Sequence, residues 1–395
     1  MPSLNETPNA NRMQIAFFGR TNSGKSTLIN TLTGQQISLV SPVSGTTTDP
    51  VRKAMELLPI GPVTLTDTAG LDDTSELGPQ RIQKTVELIG KTDLAVLVIS
   101  SLQTDLLLEQ EYLKNFKEAK TPVIAVFNLF EGKEPQSGFP ESLDIPFLIV
   151  DCRNNAEMSK VKTMIIEHAN YDFENQSICG DLVKAGDLVI LVMPQDIQAP
   201  KGRLILPQVQ VTRDLLDLKC RVVSVVTNDL EPMLNLLKNP PDLVITDSQV
   251  FGIVNKVLPP EIRLTSFSIL MAKYKGDINE MVQGARAIAA LKPTDRVLIM
   301  EACTHHALKG DIAREKLPAL LRKRVGEGLT VDVFSGTGFP KNIKNYKLVI
   351  HCGGCMLNRK GMLTKTAMAV QAGVPITNFG TAIAYLNGIL ERVVY

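Results

Sequence analysis

The 395-residue sequence has no run approaching the roughly 18 uninterrupted apolar residues that a membrane-spanning helix requires, so no transmembrane segment is expected. Its start, MPSLNETPNANR, has neither a basic stretch leading into an apolar one nor an Arg-rich amphipathic pattern. No signal or transit peptide is therefore expected, and the reading is a cytoplasmic protein. A basic excess is also missing: 42 Lys and Arg stand against 41 Asp and Glu, which argues against nucleic acid as the main partner. Biased tracts and internal repeats are absent, and 44% hydrophobic with 21% charged residues is the composition of a globular protein with sizeable cores. Histidine is scarce, at four residues, and there are six cysteines. In a reducing cytosol so few cysteines do not read as a disulfide framework, and close Cys and His spacing points to metal or redox chemistry.

The length exceeds what one ordinary core organises and predicts two or three domains. From residue 13 to about 170, short apolar runs alternate with helix-like stretches, with strands expected at 13–18, 54–58, 63–66, 94–99, 123–127 and 147–150. The second and third runs are separated by PIGP alone, too short for a parallel crossover, so that pair is expected to be an antiparallel hairpin. After a polar linker at 172–181 a second α/β rhythm follows, with strands at 188–193, 221–226 and 243–246. The stretch LPPEIRLT, 258–265, has the composition of a boundary. Beyond it come a helix at 278–291, a strand at 296–302, a helix at 312–324, strands at 329–334 and 347–351, and a helix at 361–372. The expected fold class is α/β in three domains, 1–172, 180–258 and 264–395; the middle one carries no legible chemistry and reads as an interaction or spacer module.

Residues Gly19, Arg20, Thr21, Asn22, Ser23, Gly24, Lys25 and Ser26, followed by Thr27, match the G-x-x-x-x-G-K-[ST] phosphate loop between a predicted strand and a predicted helix. In such a loop the glycines let backbone N–H groups curl around phosphate oxygens. The lysine, Lys25, meets the terminal phosphates, and the hydroxyl of Ser26 ligates Mg²⁺. Downstream, Asp67-Thr-Ala-Gly70 closes a strand, where the Asp67 carboxylate can reach Mg²⁺ and Gly70 can sense a γ-phosphate. Between them, Gly45-Thr-Thr-Thr-Asp49 offers hydroxyls.

In this order the three motifs resemble the Era and MnmE branch of P-loop GTPases over roughly residues 12–170. The resemblance implies GTP and GDP as ligands, with Lys25, Thr47 and Gly70 as catalytic residues. It also implies Thr47 as the switch ligand of Mg²⁺, ahead of Thr46 and Thr48. Leu71 follows DTAG where Ras-type GTPases carry the water-orienting glutamine, so slow intrinsic hydrolysis is expected. Asn22 stands where potassium-activated members of the branch hold K⁺ against the phosphates, which implies stimulation by K⁺. The guanine-reading N-K-x-D motif is altered to Asn128-Leu-Phe-Glu131: Asn128 and a carboxylate are kept, while Leu129 replaces the lysine stem, leaving guanine specificity open. The loop after the next strand is likewise blurred, reading Asp151-Cys-Arg-Asn-Asn155.

Three of the four histidines, His305, His306 and His351, lie beside three of the six cysteines. The pattern is Cys303-Thr-His305, a gap of 45 residues, and His351-Cys352-Gly-Gly-Cys355. The C-x-x-C spacing lets two thiolates face one metal or cluster. Both cysteine segments follow predicted strands, at the carboxyl ends where α/β sheets form ligand crevices. On chemistry alone, a structural zinc site and a [4Fe–4S] cluster with three thiolate ligands stand level. Thiol redox chemistry at the C-x-x-C would leave the histidines unexplained. Cys152, Cys179 and Cys220 are isolated and read as buried or inert thiols, and His306 as a packing or solvent residue.

The combination of C-x-H, a long gap, H-C-x-x-C and an MnmE-like domain closely resembles the HydF family of [FeFe]-hydrogenase maturation GTPases, including APKGRLILPQ at 199–208 and ITNFGTAIA at 376–384. That resemblance implies a Ras-like GTPase domain, a small dimerisation domain and a cluster-binding domain holding a [4Fe–4S] cluster on Cys303, Cys352 and Cys355. His351 and His305 are then candidates for the fourth ligand, ahead of Asp196. It implies a homodimeric scaffold or carrier for the diiron precursor of the hydrogenase active site, working with the radical-SAM maturases HydE and HydG and with apo-hydrogenase. The competing reading is a GTPase of RNA modification or ribosome assembly with a structural zinc.

Overall fold

Apolar runs buried on both faces dictate a mostly parallel sheet in the first part of the chain. The computed structural model describes residues 8–34, 50–74, 78–169, 176–195, 204–302, 311–336, 338–340, 342–354 and 357–395, and divides into two compact units, Met1–Asn175 and Gln176–Tyr395. The first unit contains β1 (Met13–Phe18), β2 (Val51–Leu57), β3 (Gly61–Asp67), β4 (Leu94–Ser100), β5 (Val123–Asn128) and β6 (Phe147–Val150), in the order β2-β3-β1-β4-β5-β6. All pairings are parallel except β2 with β3, the expected hairpin, where Leu57 lies opposite Gly61.

Residues of β1 feed alternate faces, as the two-residue strand period requires. Ile15 and Phe17 join Leu28 and Leu32 of helix Lys25–Thr33 and Val161 and Ile165 of helix Met158–His168. Ala16 and Phe18 join Leu88 and Ile89 of helix Gly78–Ile89 and Tyr112 and Phe116 of helix Leu107–Glu118, with Phe18 edge-on to Phe116 at 4.9 Å. The carboxyl ends of β1, β3, β5 and β6 thereby share one edge of the sheet, where ligands of open α/β sheets bind.

The second unit has two four-stranded sheets. The first is built from β7 (Leu188–Val192), β8 (Arg221–Val225), β9 (Leu243–Thr246) and β10 (Arg263–Ser266), ordered β10-β9-β7-β8. The second comprises β11 (Arg296–Glu301), β12 (Thr330–Ser335), β13 (Leu348–His351) and β14 (Ile376–Asn378), ordered β12-β11-β13-β14. Both are parallel throughout.

The boundary expected at 258–265 is displaced by the structure. Residues Arg263–Ser266 form the edge strand of the middle sheet, with Leu264, Thr265 and Ser266 buried and Ser266 capping helix Phe267–Lys275. One cluster of buried side chains draws on both sheets, Ile190 and Val244 from one and Ile299 and Ile350 from the other, so no solvated linker separates them there. Among the described residues no helix is long and apolar enough to cross a membrane.

Candidate functional site

Glycine at position 24 is a steric requirement. Its φ is 103°, and an added Cβ would fall 2.2 Å from Nδ2 of Asn128. Asn128, at the end of β5 and buried, donates from Nδ2 to Ser23 O (3.1 Å) and accepts at Oδ1 from Cys152 N (3.0 Å). Its side chain therefore ties the phosphate loop to the segment after β6. Glu131, the other retained member of the altered motif, is exposed and paired with Lys133 at 3.3 Å. Leu129 is half-buried, and its N–H donates to Val150 O (2.9 Å).

Lys25 opens the helix after the loop and donates to Gly19 O (3.0 Å) and Arg20 O (2.8 Å). Burial pulls its pKa below the usual lysine value, against the charges of Asp67 and Asp72. Arg20 was expected among the nucleotide-binding residues; its backbone belongs to the loop, but its guanidinium is committed elsewhere. It meets Asp105 at 2.7 Å and the buried Glu109 at 3.0 Å, and these carboxylates raise its pKa further. Asn22 adopts a positive φ of 61° and is exposed, as are Thr21, Ser26 and Thr27.

Ser26 and Asp67, two of the three residues expected at Mg²⁺, lie within hydrogen-bond reach of each other. Ser26 Oγ donates to Asp67 Oδ2, while the buried Oδ1 of Asp67 has no hydrogen-bond partner among the described residues. Burial raises the Asp67 pKa, with the Ser26 hydroxyl and the Lys25 charge acting in the opposite direction. The buried Ser23 Oγ is similarly unpartnered. An orphan carboxylate oxygen beside a hydroxyl fits a hard, oxygen-seeking cation, and the pair Ser26 and Asp67 would hold it. Leu71 N donates to Gly19 O (3.1 Å), joining the DTAG segment with Gly70 to the phosphate loop. Thr47, with Thr46 and Thr48, lies outside the described residues.

In the second unit, β11 and β13 are parallel neighbours with Met300 opposite His351. Cys352 Sγ accepts a hydrogen bond from Ala302 N at 3.2 Å, so the sulfur lies against the residue that precedes Cys303. That contact sets Cys352 against the end of the chain segment leading to Cys303, which fits a shared metal or cluster, and a backbone N–H on a sulfur is a feature of cluster ligands. Cys303, His305, His306, Cys355 and Asp196 lie outside the described residues, and among those described no group of three or more His, Cys, Asp or Glu side chains could hold a metal ion.

His351, expected as a candidate ligand, is the one such histidine among the described residues. It closes β13 with its ring wholly buried, Nδ1 lies 2.7 Å from Cys352 O, and Nε2 lies 3.4 Å from Lys365 Nζ. Burial first, and the Lys365 charge second, push its pKa down to about 4, while the Cys352 carbonyl works in the other direction. With both ring nitrogens engaged, the histidine supports the cysteine loop from beneath. Lys275 reaches the same loop from helix Phe267–Lys275, donating to Leu357 O (3.0 Å) and Gly354 O (3.5 Å). Neither lysine was legible in the sequence, because both reach the loop only through tertiary packing.

Residues 14–129 match the family described as 50S ribosome-binding GTPase. Residues 178–276 match the Hydrogen maturase F dimerization domain, and residues 279–395 match the Hydrogen maturase F tetramerization domain. The tRNA modification GTPase MnmE of Chromobacterium violaceum is 29% identical over 167 residues, 42% of this chain and 37% of that protein. MnmE of Zymomonas mobilis is 42% identical over 79 residues, 19% of this chain and 18% of that protein. The chain thus spans well under half the length of these curated relatives. Among solved structures, Aquifex aeolicus Era bound to GDP.AlF4- shares 16% identity and a TM-score of 0.33, over 57% of this chain and 98% of that one.

Proposed function

The chain belongs to the hydrogen maturase F family, and from that premise we propose that it is a GTP-hydrolysing scaffold or carrier in [FeFe]-hydrogenase maturation. It receives the diiron precursor of the active site with the help of HydE and HydG and delivers it to apo-hydrogenase. GTP and Mg²⁺ bind at the phosphate loop, with Thr47 completing the Mg²⁺ ligands and K⁺ held at Asn22. A [4Fe–4S] cluster is held by Cys303, Cys352 and Cys355, with His351 or His305, ahead of Asp196, as protein candidates for the fourth position. The bound cluster supplies an iron site able to exchange its fourth ligand. The chain's own contribution is to fix Cys352 by the Ala302 N–H and to brace the loop through His351 and Lys275. The assembly is a homo-oligomer built through the second unit.

The observation that carries this reading is the Ala302 contact to Cys352 Sγ, because it joins the residues that follow two neighbouring strands, one of them next in sequence to Cys303. Anaerobic purification followed by metal and sulfide analysis tests it, with roughly four iron and four sulfide expected per chain. Stoichiometric zinc without broad iron–sulfur absorbance would overturn the carrier assignment. Cys352→Ala should remove the cluster and leave GTP hydrolysis measurable. Turnover should rise when K⁺ replaces Na⁺, and equal rates in the two buffers would remove the role given to Asn22.

A further inference from the structure

Hydrolysis of a nucleoside triphosphate requires a group that orients the attacking water. Leu71 occupies the position where a glutamine would do this, and it is 3% exposed, packed in the core with Leu88 and Ile89. The residue beside it is placed differently. Asp72 is exposed, and its Oδ1 accepts hydrogen bonds from Thr21 N (2.6 Å) and Thr21 Oγ1 (2.9 Å). Thr21 is the third residue of the phosphate loop, whose N–H groups cradle phosphate oxygens. The Asp72 charge also acts on the buried Lys25 ammonium, the group that meets the terminal phosphates. Its second oxygen, Oδ2, accepts no hydrogen bond among the described residues. One carboxylate oxygen is thus fixed on the loop while the other is open to water.

We infer that Asp72 orients the attacking water in triphosphate hydrolysis, replacing the glutamine that other GTPases carry one position earlier; this rests on the GTPase reading above. In the step, the water oxygen bonds to the γ-phosphorus as the bond from that phosphorus to the β,γ-bridging oxygen breaks. The electron pair of the broken bond leaves with GDP. The water proton passes to Asp72 Oδ2 and is released to solvent with inorganic phosphate. Arg20 is unsuited to this work, because its guanidinium is held by Asp105 and Glu109.

The test compares the full-length protein with Asp72→Asn and Asp72→Ala, measuring single-turnover GTP hydrolysis with Mg²⁺ and K⁺ and equilibrium binding of GDP and a non-hydrolysable GTP analogue. Hydrolysis should fall about a hundredfold or more in both variants, the range of a lost acid–base group, while both affinities stay within about twofold. Asp72→Glu should recover part of the rate. Unchanged hydrolysis in both variants overturns the inference. So does tighter analogue binding with undiminished turnover, which would make Asp72 a stand-in for the terminal phosphate. Loss of binding to both nucleotides also overturns it, leaving Asp72 as a brace for Thr21. If the wild-type protein shows no turnover above the uncatalysed background, the GTPase reading fails and this inference with it.

Discussion

Asn128 shows how one side chain can tie separate parts of a site together. Both ends of its amide are occupied by buried backbone groups, Ser23 O and Cys152 N. Asn128→Ala leaves two such groups unsatisfied and should cost roughly 2–4 kcal/mol, measured as a lower chemical-unfolding midpoint of the first unit. The isolated thiols give a second prediction at this scale. Burial pushes the Cys152 thiol up to about 12 and raises Cys179 and Cys220 as well. Because the thiolate is the nucleophile, brief iodoacetamide treatment of native, cluster-free protein at about pH 8 should spare all three and label the half-buried Cys352, read by mass spectrometry. Their folded-state values lie above the unfolded one, so the stability they contribute is complete below about pH 8.5 and is lost as the pH rises through the folded values.

At the scale of elements, the apolar strands were legible and the short polar ones were not. β1 and β6 coincide with the ranges expected from their apolar runs, and β4 and β5 extend one residue further. β10 and β14 contain only four and three residues and include Ser, Thr or Asn, so neither carries a periodic signal of its own. They are strands because β9 and β13 offer edges to pair with. The close fit of helix Ile278–Arg286 on β14 depends on Gly284, where a Cβ would lie 1.9 Å from Ile376 O. Backbone must move to admit it, so Gly284→Ala should destabilise the second unit by about 1–3 kcal/mol or more. A lowered melting transition of that unit, with nucleotide affinity at the phosphate loop unchanged, is the expected result.

At the scale of the molecule, two compact units divide the proposed labour, one binding nucleotide and the other holding the cysteine loop. The homo-oligomer proposed above predicts a light-scattering mass at least twice that of one chain; a monomer at micromolar concentration would contradict it. The phosphate loop, the DTAG strand end and the cysteine spacing were readable from the chain alone, because each is a local pattern whose chemistry depends on residue type and short-range spacing. Packing decided the rest. It closed both ring nitrogens of His351, turned Arg20 toward Asp105 and Glu109, set Asp72 on Thr21 and brought Ala302 against Cys352. Each of these depends on a partner supplied by the fold and on the burial that accompanies it, and composition and spacing along one chain encode neither directly.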